Sequence, residues 1–367
     1  MTETILQLGA GRFLRAFVDR FVQQANDAGQ NVGRVVVVQT TPGRRAEMLN
    51  PNGYSVLVRG YSDGELVERV DRVQAISRAL LAAEQWAKVV ALAKSPDLKY
   101  VVTNATEAGY ALADGDVQDA APPSSMPAKL AQLLWRRFEA GGAPLVLLPC
   151  ELIEKNASKL RELVVEQARR WNLPAEFANW VRNECCWLNN LVDCIVTNVP
   201  ADHPLLQEDP AAIHAEPFAL FAIEKAPRMP AIFLHPAIQL VPQLEPFYLR
   251  KVRILNGLHS AMTAKFLPQG FTLVREVLAN KAAVKWVRGV LWEEIVPTIC
   301  DRLPDVAEFA DAVYDRLRNP FIDHKLADIA LNHAAKIKVR LEPTRDEYEQ
   351  LYGKPPKRLS EVLAVKL

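Results

Sequence analysis

Three polar side chains in one segment could together assist the reduction of a ketone. The segment KVRILNGLHS carries Lys251, Asn256 and His259 and has helical periodicity. With Thr263, these residues are predicted to share one polar face of the helix, opposite an apolar face. Ketone reduction needs a proton for the oxygen and hydrogen-bond donors for its developing negative charge. Lys251 could supply the proton, Asn256 could polarise the carbonyl, and His259 could orient the oxygen or the lysine.

The alternative for this segment is an ordinary solvated helix face. Asn256 and Gly257 in the middle of a helix lower its stability, which disfavours a purely structural role. A free lysine has a pKa of about 10.4, so use of Lys251 as a base requires burial or a neighbouring cation. Arg250 and Arg253 are the candidate cations.

A second candidate site lies near the N-terminus, in the loop Gly9-Ala10-Gly11. This loop follows an apolar strand and opens a helix, so the backbone N–H groups of Arg12 and Phe13 could bind the pyrophosphate of a dinucleotide. Leu14 replaces the third glycine of the G-x-G-x-x-G pattern, and a tight turn without a ligand is the alternative.

The end of the second predicted strand bears on the choice of cofactor. Dinucleotide sites commonly place an acidic residue there for the ribose hydroxyls, whereas this chain has Gln39 and Thr40. Both could still hydrogen-bond a ribose, and Arg44 and Arg45 could contact a 2′-phosphate or face water. We therefore expect NAD, with NADP possible.

The elements that must position these residues predict two domains of an α/β protein. Short β-branched runs alternate with helical segments over the first 200 residues, which is typical of a mostly parallel sheet with crossover helices. One helix is predicted from Phe13 to near Gly29, a hairpin around Ser-Asp-Gly, and an irregular loop at ADHPLLQEDPAAIHAEP. Beyond Phe247 the pattern is helical, so the predicted domains are residues 1–243 and 244–367. The predicted strands are ILQL, RVVVVQT, KYVVTNA, PLVLLPC, LVDCIVT and FALFAIE.

Composition excludes several classes of function. The formal net charge of +1 gives no bulk attraction for nucleic acid or an anionic membrane surface. The sequence has no apolar run long enough for a membrane span and no signal-peptide pattern, so a cytoplasmic location is expected. Its 5 cysteines lack paired spacing and its 6 histidines lack metal-ligand spacing, so neither a disulfide framework nor a metal is predicted.

Taken together, these motifs resemble the polyol-specific long-chain dehydrogenase family, to which mannitol dehydrogenase belongs. The resemblance includes K-x4-N-x2-H and the N-terminal G-x-G-x-F, and it covers nearly the whole chain in family order. It implies NAD(H)-dependent, metal-free hydride transfer at a cleft between a Rossmann-like domain and an all-helical domain. The resembling blocks are LGAGRFLRAFVDRF, TNATEAGY, LPCELIEKNASKLRELV, LVDCIVTNVP, KVRILNGLHSA and RLRNPFIDHKLADIALN.

The resemblance also implies roles for individual residues. Lys251 corresponds to the catalytic acid and base, with Asn256 and His259 as its partners. Asn156 corresponds to an asparagine that helps hold the reacting oxygen, and Asp193 to a site aspartate. From residue chemistry alone, Asn156 would begin a helix and Asp193 would be a paired buried carboxylate. The residues that the resemblance adds to the cofactor site are Thr103, Asn104 and Glu107.

The implied substrate is a small sugar acid, a keto-hexuronate of the tagaturonate type, interconverted with its hydroxy acid. Arg316 would bind the carboxylate, supported by protonated His324. The alternatives are a mannitol or other polyol dehydrogenase and a non-catalytic nucleotide-binding protein. Asp323 and Cys194 replace basic residues that the family has, and the chain ends within a segment resembling the middle of the family's helical domain. We therefore expect a shortened substrate pocket, or one completed by another subunit, in a monomer or homodimer.

Overall fold

The computed structural model describes residues 1–49, 52–105 and 109–365 and divides the chain into two compact units. The first unit comprises Met1–Val58 and Glu68–Leu244, and the second, here called the helical unit, comprises Arg59–Val67 and Glu245–Leu367. The segment Arg59–Val67 thus belongs to the helical unit, whereas the sequence predicted a single boundary between the domains near residue 244.

Thirteen strands and seventeen α-helices are present in the described part of the chain. The strands are β1 (Glu3–Leu8), β2 (Arg34–Gln39), β3 (Tyr54–Ser62), β4 (Glu65–Val73), β5 (Ile76–Leu81), β6 (Tyr100–Thr103), β7 (Val146–Pro149), β8 (Cys186–Trp187), β9 (Asn190–Asp193), β10 (Val196–Asn198), β11 (Ile213–Ala215), β12 (Leu220–Glu224) and β13 (Ile238–Val241). The helices up to residue 244 are α1 (Arg12–Ala16), α2 (Val18–Asp27), α3 (Ala82–Ala93), α4 (Met126–Glu139), α5 (Asn156–Arg170), α6 (Ala175–Asn183) and α7 (Leu205–Glu208). Those after it are α8 (Glu245–Arg250), α9 (Gly257–Phe266), α10 (Val274–Ala279), α11 (Lys281–Gly289), α12 (Val296–Ile299), α13 (Val306–Leu317), α14 (Leu326–Ala330), α15 (His333–Arg340), α16 (Glu342–Tyr352) and α17 (Lys357–Leu363).

The first unit is built on a six-stranded parallel sheet with the order β5-β2-β1-β6-β7-β8. Most of its strands are largely apolar because helices cover both faces of the sheet. Along β2, Val35 and Val37 pack with α1 and α2, whereas Val36 and Val38 pack with α3, α4, α5 and α6. The strand order changes direction at β1, which pairs with β2 on one side and β6 on the other. Ligands of such sheets bind where the order reverses, beyond the carboxyl ends of the strands. The predicted parallel α/β sheet is confirmed.

Two smaller sheets lie mainly in the first unit, and three local predictions in this unit were wrong. The sheets have the orders β10-β11-β3-β4 and β13-β12-β9. LVDCIVT forms two strands, β9 and β10, and the predicted irregular loop contains α7 and β11. Strand β11 has only three residues, too few to show a period, and it is defined by its parallel pairing with β3. The helix predicted from Phe13 is broken into α1 and α2 at Phe17, where φ is −114° and ψ is −84°.

The helical unit contains α8 to α17 and two π-helical turns, Lys251–Asn256 and Val290–Ile295. The outer end of the β3-β4 hairpin packs within it, because Asn319 donates a hydrogen bond to the carbonyl of Arg59 at 2.9 Å and the Arg59 guanidinium lies 4.4 Å from the ring centre of Phe321. The predicted short final helix is α17. No helix of the described residues is long and apolar enough to cross a membrane.

Candidate active site

A π-helical turn places the predicted catalytic residues on one side of a continuous helix. Helix α8 runs into the π turn Lys251–Asn256, and α9 follows directly. A π turn joins residue i to residue i+5, so Lys251 and Asn256 stand one turn apart on the same side. His259 follows three residues later, on the same face of α9. An α-helix would separate Lys251 from Asn256 around the axis, so the π turn is what aligns them.

The polar face of this helix is partly or fully buried, which disfavours the alternative of an ordinary solvated face. His259 is 6% exposed and Thr263 is fully buried, whereas Lys251 and Asn256 are half-buried. The sequence shows one polar and one apolar face, but α14, α15 and α17 pack against α9, so the helix is buried on more than its apolar side. A polar helix face buried in this way needs partners or a ligand.

The two arginines proposed as neighbours of Lys251 have partners of their own. Arg253 donates to Thr344 at 2.8 Å and forms an ion pair with Glu347 at 2.9 Å. The Arg250 guanidinium lies over two aromatic rings, those of Phe247 at 5.1 Å and Phe309 at 4.5 Å. Arg253 is therefore charge-neutralised by Glu347 and is not the bare cation that the sequence suggested.

His259 is held as a neutral imidazole. Burial lowers its pKa well below the usual value, and the nearby His324, Arg316, Arg340 and Lys336 lower it further. The rings of His259 and His324 meet edge to face with centroids 4.7 Å apart. Burial also lowers the pKa of His324, which disfavours the protonated form that the sequence prediction used, and its role beside the carboxylate stays a prediction.

Arg316 and Asp323 both belong to the helical unit but differ in exposure. Arg316, on α13, is 4% exposed. Asp323 is exposed and forms an ion pair with Arg275 at 2.7 Å. The acidic residue that stands where a basic one was expected is thus neutralised by a local arginine.

The glycine loop after β1 fits a dinucleotide. Gly9 has a φ of +145°, which disfavours any residue with a Cβ, and its amide donates to the carbonyl of Val38 at 2.9 Å. A Cβ built on Gly11 would meet no atom of the described chain within 4 Å. No side chain caps the helix start at Gly11. Open space above an uncapped turn at the switch point suits a pyrophosphate, and Arg12 and Phe13 begin the helix there.

Gln39 is held by the backbone of the loop after β2, which disfavours the ribose contact predicted from the sequence. It is 4% exposed, and its amide nitrogen donates to the carbonyls of Thr41 and Gly43 at 3.1 and 2.7 Å. Its amide oxygen accepts from the backbone of Ala46 at 2.7 Å. Gln39 therefore shapes the loop after β2, and of the predicted pair the half-buried Thr40 is the better placed for ribose contact.

Arg44, a candidate for a 2′-phosphate, is occupied by two carboxylates. Its guanidinium forms ion pairs with Glu47 at 2.6 Å and with Glu84 at 2.8 Å. Arg45 is exposed. The carboxylates of Glu47 and Glu84 thus lie beside Arg44, the arginine that would contact a 2′-phosphate. Their negative charge disfavours binding of the 2′-phosphate of NADP.

A buried glutamate organises the loop after β6. Glu151 is 2% exposed and accepts hydrogen bonds from the Thr103 hydroxyl at 2.7 Å, the Ala105 amide at 2.8 Å and the Tyr110 hydroxyl at 2.9 Å. Burial raises its pKa. Asn104 donates to the carbonyl of Cys150 at 2.7 Å.

The side chains of the predicted cofactor residues Thr103 and Asn104 thus hydrogen-bond to Glu151 and to the backbone of Cys150. Glu107 lies outside the described residues. Sequence reasoning missed Glu151. An acidic residue directly after a fully apolar strand was the available signal, since buried carboxylates need several donors.

Asn156 has the helix-start role that residue chemistry alone suggested. It is fully buried, and its amide nitrogen donates to the carbonyls of Pro149, Glu151 and Asn190 at 2.8 to 3.1 Å. Its oxygen accepts from the amides of Ala157 and Asn190. These bonds use all its polar atoms in the free protein, and its contact with the reacting oxygen of a substrate stays a prediction. Asp193 is buried at the end of β9, and its role stays a prediction.

A second buried carboxylate, which sequence reasoning also missed, lies behind the glycine loop. Asp19 accepts from the Tyr54 hydroxyl at 3.1 Å and from Gln7 at 3.4 Å, and Gln7 also donates to the carbonyl of Gly9 at 3.1 Å. Burial raises the pKa of Asp19 to about 7. The network ties the loop to α2 and β3.

Within the described residues, no cluster of three or more His, Cys, Asp or Glu side chains could hold a metal ion. A glycine loop at the switch point of a parallel sheet is typical of the Rossmann-type domain of a nicotinamide-dependent oxidoreductase, and the helical unit carries the candidate proton-transfer side chains.

Comparison with known proteins gives the family. Residues 3–232 match the family model of the mannitol dehydrogenase Rossmann domain, and residues 243–366 match that of the mannitol dehydrogenase C-terminal domain. The chain belongs to the mannitol dehydrogenase family.

Several curated relatives are named altronate oxidoreductase. The protein from Halalkalibacterium halodurans is 37% identical over 97% of this chain and 73% of its own length. Those from Yersinia enterocolitica and Bacillus subtilis are 36% and 35% identical, over 99% and 97% of this chain and 78% and 77% of their own lengths.

Solved structures agree on the fold. Pseudomonas fluorescens mannitol 2-dehydrogenase, in a ternary complex with NAD and D-mannitol, has a TM-score of 0.80 at 21% identity, covering 99% of this chain and 78% of that one. A D-sorbitol dehydrogenase has a TM-score of 0.83 at 21% identity, covering 99% and 79%.

Proposed function

We propose that the protein is an NAD(H)-dependent oxidoreductase that interconverts a keto-hexuronate and its hydroxy acid, of the tagaturonate and altronate type. The observation that carries this proposal is the 35 to 37% identity to altronate oxidoreductases along nearly the whole chain. The glycine loop and the Lys251, Asn256 and His259 face supply chemistry that suits such a reaction.

In this proposal the side chains of the helical unit manage the proton and the charge on the substrate oxygen. When bound, the nicotinamide supplies or accepts the hydride. Lys251 donates a proton to the keto oxygen during reduction and takes it back during oxidation. Asn256, one π turn away, donates a hydrogen bond to the same oxygen. His259, neutral and buried, orients this pair without adding a second positive charge.

A polyol dehydrogenase is the second candidate, favoured by the fold likeness to mannitol 2-dehydrogenase. The substrates differ in charge, since a keto-hexuronate carries a carboxylate that must be paired with a cation when it leaves water. Arg316 is our predicted contact for that carboxylate. A polyol needs only neutral donors and acceptors. Retention of Lys251, Asn256 and His259 argues against a non-catalytic nucleotide-binding protein.

The test is a titration with NADH and NADPH, followed by a screen of substrates by nicotinamide absorbance. Tagaturonate, fructuronate, fructose and mannitol cover the alternatives. We expect tight NADH binding and turnover of a keto-hexuronate well above that of fructose. Turnover of fructose or mannitol alone would favour the polyol dehydrogenase, and binding without turnover of any substrate would favour the non-catalytic protein.

The Gly11→Val variant tests the cofactor placement. Because the space above Gly11 is open, the valine side chain fits the free protein but occupies the place predicted for the pyrophosphate. NADH affinity should fall while thermal stability stays close to that of the wild type. Unchanged NADH affinity would contradict the placement. The cytoplasmic location, the monomer or homodimer state and the lack of a nucleic-acid partner stay predictions.

A further inference from the structure

One face of α15 carries a basic cluster that the proposed chemistry does not use. His333, Lys336 and Arg340 are spaced by three and four residues, so they lie on a single side of the helix. Arg340 donates to the Ser260 hydroxyl of α9 at 3.2 Å. Ser260 directly follows His259 and is fully buried. The basic face of α15 is therefore directed at the helix that carries the proposed proton-transfer residues.

The polar atoms between these helices are unsatisfied. His259 Nε2, Thr263 Oγ1, His324 Nδ1 and both ring nitrogens of His333 have no hydrogen-bond partner in the described part of the chain. The side chains of His259, Thr263 and His333 are all more than nine-tenths buried. Buried polar groups are rarely left unpaired, and a group of them in one place indicates a site for a polar ligand.

Two cations of α15, Lys336 and Arg340, act on the buried imidazoles of His259 and His333. Lys336 donates to the carbonyl of Ile329 at 2.9 Å, a neutral partner. Neither Lys336 nor Arg340 forms an ion pair with a carboxylate among the residues that the structure describes. Two acidic groups act on these residues: Asp328 acts on His324, and the Tyr248 hydroxyl acts on Arg340. Unpaired, half-buried cations beside unsatisfied imidazoles favour an anionic ligand.

We propose that Lys336 and Arg340, with the imidazoles of His324 and His333, bind the carboxylate of the substrate. This inference rests on the proposed function for the identity of the anion. It assigns selectivity for a sugar acid over a neutral sugar to α15, beyond the predicted contribution of Arg316. Lys336 contributes a point charge and Arg340 a planar fork, so both are needed for full affinity.

The experiment measures binding of altronate and of the neutral alcohol altritol to the enzyme with NADH, a combination in which no turnover can occur. The variants are Lys336→Gln, Lys336→Arg and Arg340→Gln. Lys338→Gln is the matched control, because Lys338 lies exposed on another side of the same helix. NADH affinity and the thermal unfolding midpoint report on folding of each variant. If Arg340→Gln unfolds because its Ser260 contact is lost, the two Lys336 variants decide the question.

We expect Lys336→Gln to weaken altronate binding about 10- to 100-fold, the usual range for a lost hydrogen bond to a charged group. Lys336→Arg should retain most of the affinity, and Lys338→Gln should match the wild type. The selectivity for altronate over altritol should fall with Lys336→Gln.

Two further results separate this inference from the proposed function. Equal altronate affinity in the wild type and Lys336→Gln would overturn the inference, even if tagaturonate is reduced. Altronate binding that depends on Lys336, in an enzyme that reduces no keto-hexuronate, would support the anion site and refute the proposed function.

Discussion

Replacing Glu151 by alanine should destabilise the first unit and weaken NADH binding. The carboxylate accepts three hydrogen bonds, from Thr103, Ala105 and Tyr110, at 2.7 to 2.9 Å. In Glu151→Ala the two hydroxyls can rotate toward other acceptors, whereas the Ala105 amide is fixed by the backbone. The loop after β6 would therefore lose the contacts that hold it at the carboxyl edge of the sheet.

The magnitude follows from the hydrogen bonds that are lost. A buried backbone donor left unpaired costs about 1 to 3 kcal/mol, and each hydroxyl bond contributes about 1 kcal/mol, giving about 3 to 5 kcal/mol in total. Glu151→Gln keeps one oxygen for Ala105 and an amide that the hydroxyls can accept from, so its loss should be about 1 kcal/mol. Glu154→Ala is the control, because Glu154 is an exposed acid three residues away.

The assay is urea unfolding of the three variants and the wild type, with NADH affinity measured in parallel. We expect the order of stability to be wild type, Glu154→Ala, Glu151→Gln and Glu151→Ala, and the order of NADH affinity to follow it. If Glu151→Ala unfolds at the same urea concentration as Glu154→Ala, the carboxylate does not hold the loop and the reasoning fails.

Three other predictions concern proton linkage, cofactor choice and catalysis. The pKa of Asp19 is raised to about 7, so its stabilising contribution is complete below about pH 4 and is lost as pH rises through 7. Between pH 5 and pH 8, the free energy of unfolding of Asp19→Asn should therefore rise by about 2 to 3 kcal/mol relative to that of the wild type, as measured by urea unfolding. A difference between the two proteins that does not change with pH would contradict this. Glu84→Gln frees Arg44 from one carboxylate and should raise the affinity for 2′,5′-ADP relative to 5′-AMP about two- to fivefold by calorimetry; an unchanged ratio would mean that the pair does not act on cofactor choice. Lys251→Met should lower kcat/KM about 10² to 10⁴-fold and leave NADH affinity almost unchanged, whereas an active variant with the wild-type pH profile would rule out Lys251 as acid and base.

The sequence predicted the sheet well because its strands are buried on both faces. A strand such as RVVVVQT buries its side chains when both faces of the sheet are covered, which is typical of a parallel sheet. The helices between the strands were predicted from the helical period of their apolar residues. The break at Phe17 and the split of LVDCIVT could not be predicted, since both interrupt an otherwise regular pattern. Strand β11 was missed because its pairing with β3 joins residues far apart in the sequence.

The candidate site was predicted in part, and its limits are physical. The lysine, asparagine and histidine were found by assuming an α-helical period, but Lys251 and Asn256 are aligned by a π turn that no residue pattern reveals. Gln39 and Asn156 have suitable side chains whose polar atoms are used by nearby backbone, which only the tertiary structure decides. The basic face of α15 could not be recognised in the sequence, because three basic residues at helical spacing are common on exposed helices. Only the packing of α15 against α9 places them near the buried histidines.

The most direct test of the proposed function is the product formed from tagaturonate and NADH by the purified wild-type protein. NADH oxidation is followed by absorbance, and the sugar acid is identified by NMR in the same sample, with and without a metal chelator. The proposed function predicts one altronate formed for each NADH oxidised, at the same rate in both samples. Absence of altronate, or NADH oxidation without it, would contradict the account.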